Sequence, residues 1–543
     1  MLYYTQFQYT HVFLRFAKKK HKHGEEEYAQ IAEKYREDGK QKTKVIRHLG
    51  PVRNEADRER YRSIFRQELQ KANLSGTDME KLVFDPPLDF GMIYAARKIM
   101  EDAGIMRSLS VLGKYRETVF LMIASRITRP GSDISLARFF RTVYYPWDPP
   151  RIGKDELYRA LDCLIGFRDH IEMAIFRALK PDTSIVHYDL TSSYFEGREE
   201  NDLVLFGYSR DKKRGKEQIV IGIVMADGMP IHHEVWPGNT VDPKTLEATI
   251  SVLKERFHIR NVILIADRAF GRSKSLELLD QNLYITAAYR WDQPYRTILM
   301  ETDFADGSVM DDLIMKTVVV NVDDVMKEDS TEDQRRLAEK RRYIAVYNRK
   351  RGDLDLKDLN DKIDMVRKKI SEIPDQKELK KSLGKLKSLV KFSADGALLN
   401  EKRVEILKKL AGRFLIVTNT DLPEGEIVTA YKEQWQIERS FRTIKSFLEI
   451  RPVYHRKSDR IRAHVFVCVL SLLLSRVIEK RLTESRLTIE RTAEILCELK
   501  AIPVKSPMNM VYRSESDEAA GILNELGIKP PERILVGALP KSS

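Results

Sequence analysis

Cysteine is scarce in this 543-residue chain: Cys163, Cys468 and Cys497 are the only three. They lie too far apart to form a zinc pattern, and they fit a reducing compartment in which cysteine serves as a small apolar residue. Long hydrophobic runs are missing as well. The longest, Val465 to Leu474, is too short to span a bilayer and reads as a buried helix. The N-terminus lacks the order of charge, apolar run and cleavage site that marks a signal peptide. There is no internal repeat and no low-complexity tract. The expectation is a soluble, intracellular protein with no membrane partner. Acidic residues are outnumbered, 81 Asp and Glu against 94 Lys and Arg, for a net charge of +13. Such a balance points to a polyanionic partner, and nucleic acid is the usual one. An apolar fraction of 42% suffices for real cores, and the length suggests several domains.

Residues 1–55 read as a small β-rich unit. Val12, Leu14 and Phe16 alternate, and Asp38-Gly39 signals a hairpin. The basic run Lys18 to Lys22 reads as a solvated loop or a phosphate contact. Residues 56–180 are helical in pattern and are expected to form a DNA-binding domain. Ile64, Phe65 and Leu69 begin it, and Leu157, Leu161, Leu164 and Phe167 make a stripe near its end. Its middle breaks at Pro130-Gly131 and restarts with a cap at Ser132 or Asp133. Arg126, Arg129, Arg138 and Arg141 flank the break as they would in a helix-turn-helix, although a plain bundle fits the same pattern. Residues 181–295 turn β-rich. SIVHYDLTSSYFEG is a strand with Asp189 inside it, where acids are uncommon. A hairpin turns at Asp227-Gly228, a helix covers Lys244 to Phe257, and NVILIADRAF is an apolar strand ending at Asp267. Residues 296–410, with strands TVVVNV and RYIAVYN and a helical stripe of Leu359, Ile363, Val366 and Ile370, read as an insertion domain. Residues 411–480 hold the strand RFLIVTNT, an amphipathic helix and the apolar helix RIRAHVFVCVLSLLLSRVIEK. Residues 481–543 read as a helical C-terminal region.

The amphipathic helix, YKEQWQIERSFRTIKSFL from Tyr431 to Leu448, is the most informative stretch. At about 100° per residue, Ile437, Phe441, Ile444 and Leu448 form one apolar stripe. Tyr431, Trp435, Glu438, Arg442 and Lys445 form another, suited to a metal at Glu438 and a phosphate backbone at Arg442 and Lys445. The plain alternative is an intrahelical ion pair between Glu438 and Arg442. Two strand acids, Asp189 and Asp267, and one helical acid, Glu438, can converge on two divalent cations for phosphodiester chemistry. His187 shares a strand face with Asp189 and reads as its neighbour or as a core histidine. His232 and His233 point to opposite strand faces, which argues against a shared metal. Asp227 reads as a turn residue, and Trp236 as packing against the sheet or, less favoured, stacking on a base.

Together these residues resemble the DDE transposases of bacterial insertion sequences, whose last catalytic helix carries Y-x2-R-x3-E-x6-K. The match is Tyr431, Gln434, Glu438 and Lys445, with Gln434 where the family has Arg. HYDLTSSYFEG resembles the strand of the first Asp and VILIADRAF that of the second. VWPGNTVD resembles the turn between them, and LEIRPVYHRKSDRIRAH the closing segment. The resemblance implies an α/β, RNase H-like core interrupted by an insertion domain. It implies that Asp189, Asp267 and Glu438 hold two Mg2+ or Mn2+ ions, and that water attacks a phosphodiester at the element's end. The freed 3′-hydroxyl would then attack target DNA. Tyr431 and Lys445 would grip transposon-end phosphates. Arg442 would substitute for the charge that Gln434 cannot supply, with Arg439 a lesser candidate. The implied partners are double-stranded DNA, as inverted repeats and as target, and a second copy of the chain in a homodimer. The implied location is cytoplasmic, on the nucleoid. The alternatives are an RNase H-like nuclease that cuts without joining, and a domesticated DNA-binding protein without catalysis.

Overall fold

The computed structural model describes residues 12–21, 24–37, 40–74, 83–132, 135–147, 149–194, 201–207, 215–240, 242–259, 263–266, 276–277, 279–326, 331–393, 396–451, 453, 455–505 and 510–536. They fall into two compact units. One is made of Met1–Ile99, Ile134–Lys154 and Ile478–Ser543, the other of Met100–Asp133 and Asp155–Val477. The helical stretch expected as one domain over 56–180 is therefore divided. Phe90 and Tyr144 share a core with Ala501 and Val511 of the first unit, whereas Ser471 in the second unit bonds to the carbonyl of Ile123.

The first unit opens with an antiparallel sheet of β1 (Val12–His21), β2 (Gly24–Glu37) and β3 (Lys40–Val52). The basic run is strand up to His21, not loop. In the backbone register Lys18, Lys19 and Lys20 fall opposite Glu27, Glu26 and Glu25. Asp38 and Gly39 lie outside the described residues. The helix Glu55–Leu74 follows, with Arg58 and Arg62 5.3 and 5.9 Å from the centre of the Phe16 ring. The short strands β4 (Val83–Phe84) and β5 (Leu88–Asp89) come next.

The second unit is built on a nine-stranded sheet. Its strands are β6 (Ile185–Tyr194), β7 (Gln218–Ala226), β8 (Met229–Pro237), β9 (Ile263–Ala266), β10 (Leu283–Ala287), β11 (Ser308–Met310), β12 (Leu313–Val318) and β13 (Arg342–Asn348). The hairpin β14 (Val390–Ser393) and β15 (Gly396–Leu399) stands apart, and β16 (Arg413–Thr418) completes the sheet. The order is β11-β12-β13-β16-β10-β9-β6-β7-β8. β6, β7 and β8 make an antiparallel meander, turning at Asp227 and Gly228 with φ of 51° and 72°, the positive values a tight hairpin needs. β9 lies parallel to β6 and β10 parallel to β9, while β16 runs antiparallel to β10.

Both faces of this sheet are covered, which is why its strands read as apolar runs. Val186, Tyr188, Leu190, Leu264 and Ala266 share one core with Leu246 and Leu253 of the helix Asp242–Glu255. Ile265, Ile285, Ile344 and Ile416 share the other with Ile427 and Val428 of the helix Glu424–Lys432. By strand alternation His187 and Asp189 belong to the second face. Trp236 packs on the sheet over Gly222, where an added Cβ would lie 2.5 Å from the indole ring. The helix Ser458–Arg481 is long and apolar enough to cross a membrane, yet 89% of its apolar stretch is buried, as in the core helix of a globular protein.

The region expected as an insertion does not begin at a change of sheet. β11, β12 and β13 extend the main sheet, and TVVVNV ends as strand at Val318, leaving Val319 98% exposed. Only the helices Arg349–Glu372, Gln376–Leu383 and Glu401–Lys409, with β14 and β15, close a core of their own around Leu359, Ile363, Val366, Leu379 and Val404. The chain leaves and re-enters the sheet at one point, where the Asn348 N–H donates to the Gly412 carbonyl at 2.9 Å.

At the other end of the sheet, β8 is an edge strand, so one carboxylate can serve both of its faces. Glu172, on the helix Arg168–Leu179, accepts from Nδ1 of His232 at 2.9 Å and Nδ1 of His233 at 2.7 Å. It also accepts from the His233 backbone N–H and from Arg256. Burial works to raise the pKa of Glu172. The two histidine donors override it and hold the carboxylate well below its ordinary value. The two imidazoles, expected on opposite faces, thus share a carboxylate.

The C-terminal region is not helical throughout. Beside the helices Ile489–Leu496 and Asp517–Glu525 it carries β17 (Lys500–Lys505), β18 (Met510–Arg513) and β19 (Ile534–Val536), and β17 pairs with β4 and β5 of the first unit.

Candidate active site

Asp189 sits in the middle of β6, partly exposed between buried Tyr188 and Leu190, and its Oδ1 accepts the Leu190 N–H at 2.7 Å. His187, two residues earlier, is buried. Burial lowers its pKa, against the effect of its hydrogen bond to Gln434, so the ring is neutral near pH 7. That bond, His187 Nδ1 to Gln434 Oε1 at 3.4 Å, ties the first-acid strand to the segment that carries Glu438.

The expected single helix from Tyr431 to Leu448 is three pieces. Glu424–Lys432 is α-helical, Trp435–Arg442 resumes as α-helix, and Thr443–Phe447 is a π-turn. Between the first two the chain tightens: Gln434 N–H bonds to the Tyr431 carbonyl and Gln436 N–H to that of Glu433. Ile437, Phe441, Ile444 and Leu448 are all buried, as their spacing requires. The outer stripe is not one line, because the break separates Tyr431 from the rest. Glu438 and Arg442 are exposed, while Arg439 and Lys445 are half-buried, Lys445 inside the π-turn. Gln434 departs most from expectation. It is 6% exposed and faces His187, so its amide points into the protein and not toward a phosphate.

Tyr431 is half-buried, its ring 6.1 Å from that of Phe414. It lines a cavity of about 350 Å³ with Ala287, Ala288, Arg290 and Arg413, at the carboxyl end of β10. The turn after β8 lies at the carboxyl end of β6. There the Gly238 N–H donates to the Leu203 carbonyl at 3.1 Å, and Gln218 Nε2 donates to the Gly238 carbonyl at 3.0 Å. A Cβ at Gly238 would meet the Gln218 carbonyl oxygen at 2.1 Å, so only glycine allows this approach. Asp267 lies outside the described residues. β9 ends at Ala266, whose register partner on β6 is Tyr188, the residue before Asp189. Asp189 and Glu438 offer carboxylate oxygens, the donors that hard divalent cations prefer. Among the described residues no three His, Cys, Asp or Glu side chains form a metal cluster.

Residues 182–474, more than half of the chain, match the family described as Transposase DDE domain. The chain belongs to the DDE transposases of bacterial insertion sequences. Such transposases are in general dependent on divalent metal. Residues 14–76 match the N-terminal domain of the IS1634 family of transposases. A relative, the transposase for insertion sequence element IS231E of Bacillus thuringiensis subsp. finitimus, is 32% identical over 123 residues. That match takes in 22% of this chain and spans about a quarter, 24%, of the relative's length. The solved piggyBac transposase synaptic complex with hairpin DNA is similar at a TM-score of 0.35 and 9% identity, over 70% of this chain and 69% of that one. A likeness that distant carries no argument.

Two buried side chains, Arg126 and His464, meet the end of the Glu438 segment. Arg126, set by the sequence at a helix-turn-helix break, is 2% exposed and faces the end of the Glu438 segment. Arg129, Arg138 and Arg141 are exposed. His464 is Arg126's neighbour. The available signal was a lone arginine inside the apolar run VFLMIASRIT and a lone histidine inside RAHVFVCV.

Proposed function

We propose that this protein is a DNA transposase that cleaves phosphodiesters at the ends of its element and joins them to target DNA. Its catalytic carboxylates are Asp189, Asp267 and Glu438. The observation that carries the reading is the His187–Gln434 hydrogen bond, which brings the Glu438 segment onto the strand of Asp189. Ala266, the residue before Asp267 in the sequence, lies beside that same strand. A three-stranded meander followed by two parallel strands on the side of its first strand is the order an RNase H-like core requires, and β6 to β10 have it.

The three carboxylates would hold two Mg2+ or Mn2+ ions, which supply an activated water and charge stabilisation at the phosphorus. The residues of the chain do the rest. Asp189 is fixed by its own strand and by the Leu190 N–H, so it is oriented before DNA arrives. Arg442 and Lys445, beyond Glu438, hold the backbone of the transposon end with Arg439 alongside, and Tyr431 adds a contact from its own side of the helix break. Hydrolysis leaves a 3′-hydroxyl, and attack of that hydroxyl on a target phosphodiester forms a new P–O bond while the target's own 3′-oxygen leaves as a hydroxyl, which joins the strands. The partners are inverted-repeat and target duplexes, engaged by a homodimer on the nucleoid in the cytoplasm.

The test is strand cleavage and gel shift with Asp189→Ala, Asp267→Ala and Glu438→Ala. Each should abolish cleavage and leave end binding within about threefold, because carboxylates repel phosphates and add little to affinity. Wild-type cleavage by any one of them removes that residue from the catalytic set. Cleavage without joining by the wild-type protein would favour a nuclease.

A further inference from the structure

Arg126 is a buried guanidinium in the helix Arg116–Thr128, and it reaches the end of the Glu438 segment. Nη1 donates to the Leu448 carbonyl at 3.4 Å and to the Glu449 carbonyl at 3.1 Å. Nη2 lies 3.2 Å from Nδ1 of His464. Arginine can only donate, so Nδ1 accepts, and the ring proton sits on Nε2. Nε2 in turn lies 3.0 Å from the Ile450 carbonyl and donates to it. Three successive carbonyls, of residues 448, 449 and 450, are thus capped by two buried side chains. A cation at the carboxyl end of a helix is also favoured by the helix dipole.

The helix end capped in this way is unusual. The π-turn closes with Leu448 N–H on the Thr443 carbonyl at 2.9 Å, and Ile450 N–H reaches the Ile444 carbonyl at 3.0 Å. Between them Glu449 has φ of +47°. A residue other than glycine keeps that conformation when its surroundings hold it there. A π-turn carries one residue more per turn than an α-helix. Relaxing it to α would rotate the residues on its carboxyl side by about 100° relative to those before it, and Lys445 lies inside it.

We infer that Arg126, acting through His464 and the carbonyls of 448–450, is a positioning residue that holds the π-turn and so sets the aim of Lys445 and Glu438 on DNA. This rests on the proposed role of Lys445 and Glu438. It adds that the element before the Pro130-Gly131 break controls the catalytic segment from inside.

The experiment is a salt series of end binding with single-turnover cleavage for wild type, Arg126→Lys, Lys445→Ala and the double variant. Lysine keeps the charge but cannot span two carbonyls and His464 together. Arg126→Lys should lower the salt slope by up to about one, as Lys445→Ala does. It should slow cleavage by about tenfold, the loss of one charge-assisted hydrogen bond carried into the barrier. The double variant should have the salt slope of Lys445→Ala alone, since both act on one contact. His464→Gln, which keeps a donor for Ile450 but moves the acceptor off the imidazole Nδ1 position that Arg126 meets, reads the same effect if Arg126→Lys fails to fold. A wild-type slope and rate in both Arg126→Lys and His464→Gln, or additive slope losses in the double variant, would overturn the inference. If Lys445→Ala itself leaves the slope unchanged, the phosphate role of Lys445 fails instead.

Discussion

Replacing Gln434 by arginine or by methionine should have opposite outcomes. The family signature has arginine there, and restoring it by Gln434→Arg would, on the signature alone, add a phosphate contact and tighten end binding. The structure predicts the reverse. The site is 6% exposed, its nearest polar partner is His187, and burial keeps that imidazole neutral. A guanidinium there would be a charge buried beside a neutral imidazole, which costs on the order of 3–5 kcal/mol. Methionine is the informative contrast. It gives up one long hydrogen bond of 3.4 Å, worth about 0.5 kcal/mol, and removes a buried amide nitrogen that has no hydrogen-bond partner among the described residues, itself a cost of about 1 kcal/mol or more. Gln434→Met should therefore be neutral or slightly stabilising, while Gln434→Arg should lower the melting temperature by several degrees and lose cleavage. Thermal unfolding by circular dichroism, with end binding at low salt, reads both. A Gln434→Arg protein that melts with wild type and binds ends more tightly would refute the inward placement of this side chain.

Replacing residues 349–411 by an Asn-Gly turn should leave a soluble, monodisperse protein, because Asn348 and Gly412 already face each other across β13 and β16 as the flanks of a two-residue hairpin. Removing 296–410 instead takes away β13 and the buried Ile344, Ala345 and Val346, and should aggregate; size-exclusion chromatography distinguishes the two, and the opposite result would sink the boundary at 348 and 412. Burial lowers the pKa of His233 below its ordinary 6.5, so the unfolded chain binds a proton that the folded one refuses, and stability should fall as pH drops below about 6.5. The depressed Glu172 should add a second loss below about 4.5 as pH falls toward its folded value. Denaturant unfolding across pH should show the first loss shrink in His233→Gln; equal pH slopes for the two proteins would contradict it. Lys445→Ala should lower the salt slope of end binding by about one, and an unchanged slope would withdraw Lys445 from the DNA contact.

Much of the second unit was legible because the signals were local. RYIAVYN is β13, RFLIVT is β16, the turn falls at Asp227-Gly228, and the stripe Ile437, Phe441, Ile444, Leu448 is buried. Each follows from a period, a turn residue or an apolar run, properties that neighbours in sequence fix between themselves. What the sequence could not decide depends on partners far along the chain. Whether β11 to β13 form a separate domain or extend the main sheet is set by β16, about seventy residues after β13, pairing with both β13 and β10. Gln434 turns inward because His187, 247 residues away, meets it there. Arg126 faces the core because the carbonyls of 448 and 449 need donors, and one helical period cannot tell an arginine bound for phosphate from one bound for a helix end. The sequence alone determined which residues carry charge and which are apolar; only the tertiary structure decided which charges face inward, because a buried polar group must find its hydrogen-bond partner wherever the fold supplies one.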